Sequence, residues 1–130
     1  MIVCFVLVGI VVLAVTALLL AALFANRKYF RCRYDGNPNL KYFPAADFHQ
    51  LKAEPISFPS DKGQILRGYI YRSSQVAAEG LIIFSHGYGA GHLSYTTEIN
   101  TLVQAGFAVL AYDATGCVAS DGKYFGGFDQ

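Results

Sequence analysis

The sequence predicts an α/β fold carried behind a single membrane-crossing helix. Three observations support this expectation. Residues 1–26 contain no charged side chain, whereas all ten Lys/Arg and nine Asp/Glu follow them. Two short runs rich in strand formers, residues 81–84 and 107–112, are apolar throughout, as in strands of a parallel sheet buried on both faces. Between them Tyr95, Ile99, Leu102 and Val103 recur at helical spacing, so strand, helix and strand imply a parallel crossover.

The first element is the apolar run 2–25, 24 residues without interruption. At the helical rise it extends roughly 36 Å, enough to cross a hydrocarbon core with some tilt. A cleaved signal peptide would want a basic start, a shorter core and a small-x-small cleavage site. Nothing basic precedes this run, and Leu23 breaks the small-residue pattern before Ala25, so the expectation is an uncleaved anchor. Arg27, Lys28, Arg31 and Arg33 follow at once, and the positive-inside rule then places the rest of the chain in the cytoplasm. From residue 34 onward six basic and nine acidic residues leave a net charge of −3, which is no nucleic-acid footprint.

Residues 27–53 read as a basic juxtamembrane segment and connector, and 54–130 as the globular part. Asp35-Gly36-Asn37-Pro38-Asn39 is turn chemistry, and Pro44 interrupts any helix. Tyr42, Phe43 and Phe48 either pack on a core or, with Tyr29 and Phe30, sit at a membrane surface. Three cysteines, Cys4, Cys32 and Cys117, lack metal or redox spacing and fit a reducing compartment.

Residues 54–72 predict a β-hairpin, with Ile56 and Phe58 alternating on one arm and Ser60-Asp61-Lys62-Gly63 as its turn. The strand 81–84 then ends at Ser85-His86 and opens into Gly87-Tyr88-Gly89-Ala90-Gly91. Glycines here let the backbone point several N–H groups at one place, an arrangement suited to a phosphate or a developing oxyanion. The helix is expected over 94–105 with Gly106 as its C-cap, and the next strand over 107–112, ending at Asp113.

A hairpin, a strand ending in His86-Gly87-Tyr88-Gly89, a helix, and a strand followed by Asp113, Gly116, Ser120 and Gly122 resemble the N-terminal part of an α/β-hydrolase. Within that superfamily the chain is most similar to the serine esterase, lysophospholipase and aminopeptidase-like branch, over roughly residues 54–130. The resemblance implies ester, thioester or amide hydrolysis through an acyl-enzyme, without a cofactor, on a small-molecule acyl substrate. It implies that the Tyr88 backbone N–H is an oxyanion-hole donor, with His86, Gly87 and Gly89 shaping the turn around it.

The rest of the machinery is missing. None of the seven serines has a glycine two positions before it, so no Gly-x-Ser-x-Gly occurs. The resemblance places the nucleophile on the next strand–helix unit, with acid and base further on. The expectation is therefore a hydrolase sheet truncated before the nucleophile elbow, inactive by itself. His86 and Asp113 are expected to organise loops rather than act as base and acid, and Ser85 and Ser120 to end a strand and a turn.

Other readings of the same residues have less support. His86, His92, Asp113 and Cys117 match no familiar metal-ligand spacing, and no paired motif marks Cys117 as a reactive thiol. Gly87-x-Gly89-x-Gly91 with Asp113 outlines a dinucleotide-binding site, but His92 stands where the third glycine belongs. A membrane-anchored remnant or binding module would leave a parallel sheet with an uncovered edge, so residues 34–130 alone are expected to be unstable or to aggregate.

Overall fold

The structure, a computed structural model, describes residues 2–127. The chain divides into two units, Met1–Cys32 and Arg33–Gln130. The first is the helix α1, Ile2–Tyr29, long and apolar enough to cross a membrane. It runs past the apolar stretch through Arg27 and Lys28, because neither is a helix breaker and cations suit a helix C-terminus. The Lys28 ammonium lies 5.3 Å from the Tyr29 ring centroid, and the N–H groups of Phe30 and Arg31 both donate to the Asn26 carbonyl as the helix closes.

The second unit is built on a four-stranded mixed sheet. Its strands are β1 (Leu51–Pro59), β2 (Ile65–Ser73), β3 (Gly80–Ser85) and β4 (Phe107–Tyr112), in the order β1-β2-β4-β3. The hairpin β1–β2 is antiparallel, as is the β2–β4 pair, and β3 runs parallel to β4. Strand β1 starts three residues before the hairpin expected from the sequence, because Leu51, Lys52 and Ala53 extend the ladder to Ser73, Arg72 and Tyr71. Leu51 is buried, so the extension also feeds the core.

The helix α2, Thr96–Gln104, covers one face of the sheet. It is shorter than the expected 94–105, since residues His92–Tyr95 form a tight 3-10 turn. The His92 N–H is taken by the Asp113 carboxylate and the Ser94 N–H by the Gly91 carbonyl, which winds this turn tighter than an α-helix. Gly106 ends α2 at φ +97°, donating its N–H to the Val103 carbonyl. Ile99 and Val103 from α2 meet Leu51, Tyr71, Val109 and Ala111 from the sheet in the core. Phe48 of the connector packs on that core as well.

On the opposite face the alternation of β3 leaves Leu81 58% and Ile83 65% exposed. The two borders of the sheet differ in chemistry. Strand β1 carries Lys52, Glu54, Pro55 and Pro59, residues that discourage further strand pairing, whereas Gly80–Ser85 holds neither a charge nor a proline.

Candidate functional site

The glycine turn after β3 is held at both ends by imidazoles. His86 precedes it, with Nδ1 2.9 Å from the Gly87 carbonyl and Nε2 accepting the Ala114 N–H at 2.9 Å. His92 follows it, and its backbone N–H and its ring Nδ1 both lie 2.9 Å from Asp113 Oδ1. The two histidines thus fasten the turn to consecutive residues at the end of β4. Among the described residues no group of three or more His, Cys, Asp or Glu could hold a metal ion.

Asp113 is fully buried and His92 nearly so. Burial pushes the Asp113 carboxyl up, but the hydrogen bonds from the His92 ring and backbone, the charge of that ring and the Ala119 N–H outweigh it and hold the group below its ordinary value. Both carboxylate oxygens are engaged, Oδ2 by the Ala119 N–H at 3.3 Å. With the carboxylate fully buried, a ribose could not reach it, which weighs against the dinucleotide reading.

The glycines explain themselves locally. Gly89 sits at φ +71°, a left-handed conformation that a side chain resists. At Gly91 an added Cβ would lie 2.7 Å from Val118 Cγ2 and 2.9 Å from Asp113 Oδ1, so this glycine permits close approach of the turn to the segment after β4. Tyr88 presents an exposed side chain whose ring meets Phe125 edge-on, centroids 4.7 Å apart.

The segment after β4 is itself tightly fastened. Ser120, buried, donates its hydroxyl to the Asp113 carbonyl at 2.6 Å and accepts the Arg67 N–H at 2.8 Å. That oxygen is a structural link between β2 and the end of β4. Cys117 is fully buried, and burial, reinforced by the Asp113 charge, pushes its thiol up to about 12, so it is protonated at neutral pH. Ser85 Oγ lies 3.3 Å from the Tyr112 hydroxyl across the β3–β4 pair.

Sequence reasoning missed two fastenings. The His92–Asp113 pair spans 21 residues, and Arg33, counted with the basic juxtamembrane cluster, is an internal clamp. Its guanidinium donates to the carbonyls of Val118, Ser120 and Gly122 and pairs with Asp35. Tyr34 continues the attachment as an isolated parallel bridge to Cys117. No local pattern announces either contact. The cavity bordered by Gly91, Asp113 and Val118, about 170 Å³, is smaller than the roughly 300–1,000 Å³ of small-molecule pockets.

No family model matches the chain, and no curated protein matches its sequence. Among solved structures it is similar to an esterase from Pyrococcus furiosus, with a TM-score of 0.56 and 18% identity over 71% of this chain. The chain spans about a third of that esterase, 35% of its length. At this identity the likeness is one of fold.

Proposed function

We propose that this chain is the N-terminal part of a membrane-anchored serine hydrolase, contributing the anchor and the oxyanion element of an ester, thioester or amide hydrolase. The observation that carries this reading is the glycine turn Gly87–Gly91, fixed at both ends to the end of β4 in a fold similar to that of an esterase. Catalysis by an oxyanion hole needs donors whose positions are set before the reaction begins, and a doubly fastened turn meets that need. In this reading the Tyr88 backbone N–H is the donor, and His86, Gly87 and Gly89 hold it. The nucleophile, acid and base come from residues outside this chain, which has no Gly-x-Ser-x-Gly.

Residues 2–25 anchor the protein in a single pass, and Arg27, Lys28 and Arg31 keep the globular unit on the cytoplasmic side. A lipid-like acyl substrate accords with the anchor. A fluorophosphonate probe tests the assignment on two samples. The 130-residue chain is expected to remain unlabelled. The native protein, captured from its source by an antibody to residues 51–62, is expected to be heavier and to carry the label at a serine beyond residue 130. A native product of this same length, unlabelled, would replace the enzyme reading with a non-catalytic membrane-anchored module. Labelling of any serine within the 130 residues would overturn the placement of the nucleophile.

A further inference from the structure

We infer that the turn Gly87–Gly91 has one acid-labile latch and one acid-stable latch, and that His86 is a positioning residue that seats the turn only when its ring is neutral. The argument uses the direction of each hydrogen bond. The Ala114 amide can only donate, so His86 Nε2, 2.9 Å away, must present a bare lone pair. The ring hydrogen then resides on Nδ1 and is directed to the Gly87 carbonyl. A second proton on this ring would set N–H against N–H and open the contact.

His92 behaves in the opposite way. Its Nδ1 faces the Asp113 carboxylate, which only accepts, so Nδ1 carries hydrogen whether the ring is neutral or charged. Protonation leaves that bond in place and adds an ion pair, while setting a second N–H on Nε2, which is buried without a hydrogen-bond partner. Acidification therefore releases the His86 end of the turn and keeps the His92 end attached. Among the described residues, the titratable groups on the elements packed around His86 are Tyr88 on the turn, Tyr95 before α2, Tyr112 and Asp113 at the end of β4, and Cys117, Asp121, Lys123 and Tyr124 on the segment leading to Phe125. Phe125, whose ring centroid is 6.3 Å from that of His86, carries no charge. Of the two carboxylates in this set, Asp113 is committed to His92 and Ala119, and Asp121 to Arg67 and the Ile65 N–H.

The catalytic meaning of the latch rests on reading the turn as an oxyanion element, but the latch can be tested without activity. The full chain, held as one copy per lipid nanodisc, would be followed by nitrogen-15 NMR from pH 8 to pH 5. The expected result is an Nδ1–H tautomer for His86 at pH 8. On acidification the Gly87, Tyr88 and Ala114 amides should shift together with the His86 ring and exchange at least tenfold faster than the pH effect on intrinsic exchange explains, while the His92 Nδ1–H signal persists. His86→Gln offers an acceptor that does not titrate, so it should retain the pH 8 positions and abolish the acid response. His86→Ala should show the released signals at every pH. An Nε2–H tautomer at pH 8, or an Ala114 amide indifferent to the His86 titration, would overturn the latch. A confirmed latch in a protein whose native form takes no fluorophosphonate label would leave the latch standing and remove the hydrolase reading alone.

Discussion

Arg33 and Ser120 lie 87 residues apart in sequence, yet the Arg33 guanidinium donates to the Ser120 carbonyl at 2.9 Å. The same side chain holds the Gly122 carbonyl, also at 2.9 Å, and the Val118 carbonyl. One planar cation thus collects three carbonyls of a segment that has no regular secondary structure to satisfy them. Hydrogen bonds to a charged donor contribute roughly 1.5–3 kcal/mol each where they are shielded, and this side chain is one-third exposed. Arg33→Ala is expected to lower the stability of the globular unit by about 2 kcal/mol. Arg33→Lys, with a point charge in place of a fork, should recover less than half of that. Denaturant titration of the full chain in nanodiscs would measure both, and equal stability of all three proteins would show the clamp to be idle.

Two of the three glycines of the turn, Gly89 and Gly91, are expected to differ in cost. Gly91→Ala drives a methyl group into Val118 and into the Asp113 carboxylate, which three hydrogen bonds hold in place, and should destabilise by about 3 kcal/mol. Gly89→Ala has open space around it and opposes only the left-handed backbone, a cost of about 1 kcal/mol. Thermal unfolding would rank them. The reverse order would place the close approach at the wrong glycine.

The depressed Asp113 carboxyl gives a pH signature of defined sign. A folded-state value below the unfolded one contributes stability in full above the ordinary carboxylate range, about pH 4, and loses it as pH falls through the depressed value. Asp113→Asn keeps the shape and removes the charge. The stability gap between wild type and this variant is expected to be flat near neutrality and to close on strong acidification. A gap that stays open or widens below about pH 4, through the carboxylate range itself, would contradict the direction assigned.

Cysteine labelling separates three environments at once. Cys4 lies within α1, Cys32 is exposed, and Cys117 is buried with its thiol pushed up to about 12. A membrane-impermeant maleimide is expected to modify Cys32 alone, and only from the cytoplasmic face if the proposed orientation holds. Cys117 should react only after denaturation. Labelling of Cys32 from the opposite face would reverse the topology without disturbing the fold.

The open face of the sheet bears on solubility. Residues 33–130, which keep the Arg33 clamp, are expected to self-associate when produced without α1, and Ile83→Lys should reduce that association without loss of structure, because Ile83 is two-thirds exposed. Light scattering and circular dichroism on the two proteins would check this. A monomeric, cooperatively melting wild-type unit would show that the open face causes no association.

What the sequence could and could not reveal follows from the range of each interaction. Strands β3 and β4 were readable because each is a continuous apolar run, and Gly106 because a helix stop is a local event. The start of α2 was misplaced by two residues because Asp113, at the far end of the crossover, draws the His92 N–H into a tighter turn. Leu51 escaped the hairpin because it follows a connector, and only its pairing with Ser73 identifies it as strand. The insertion of β4 between β2 and β3 is a matter of pairing, on which composition is silent. At the candidate site the turn was visible in His86-Gly87-Tyr88-Gly89. The identity of what fastens it was not, since His92 and Arg33 act on residues distant along the chain, and each had an ordinary local explanation.

The contrast between the borders of the sheet gives the fold a direction of growth. Lys52, Glu54 and the two prolines make β1 a terminus in the architectural sense, a side on which nothing further is readily laid. Strand β3 offers six consecutive residues without such a guard. Additional α/β layers, whether gained by gene fusion over evolutionary time or grafted by an engineer, have one side on which to accrete. Libraries of fused or complementing segments built against this chain should therefore yield their successes beside Gly80–Ser85 and leave the Leu51–Pro59 side bare.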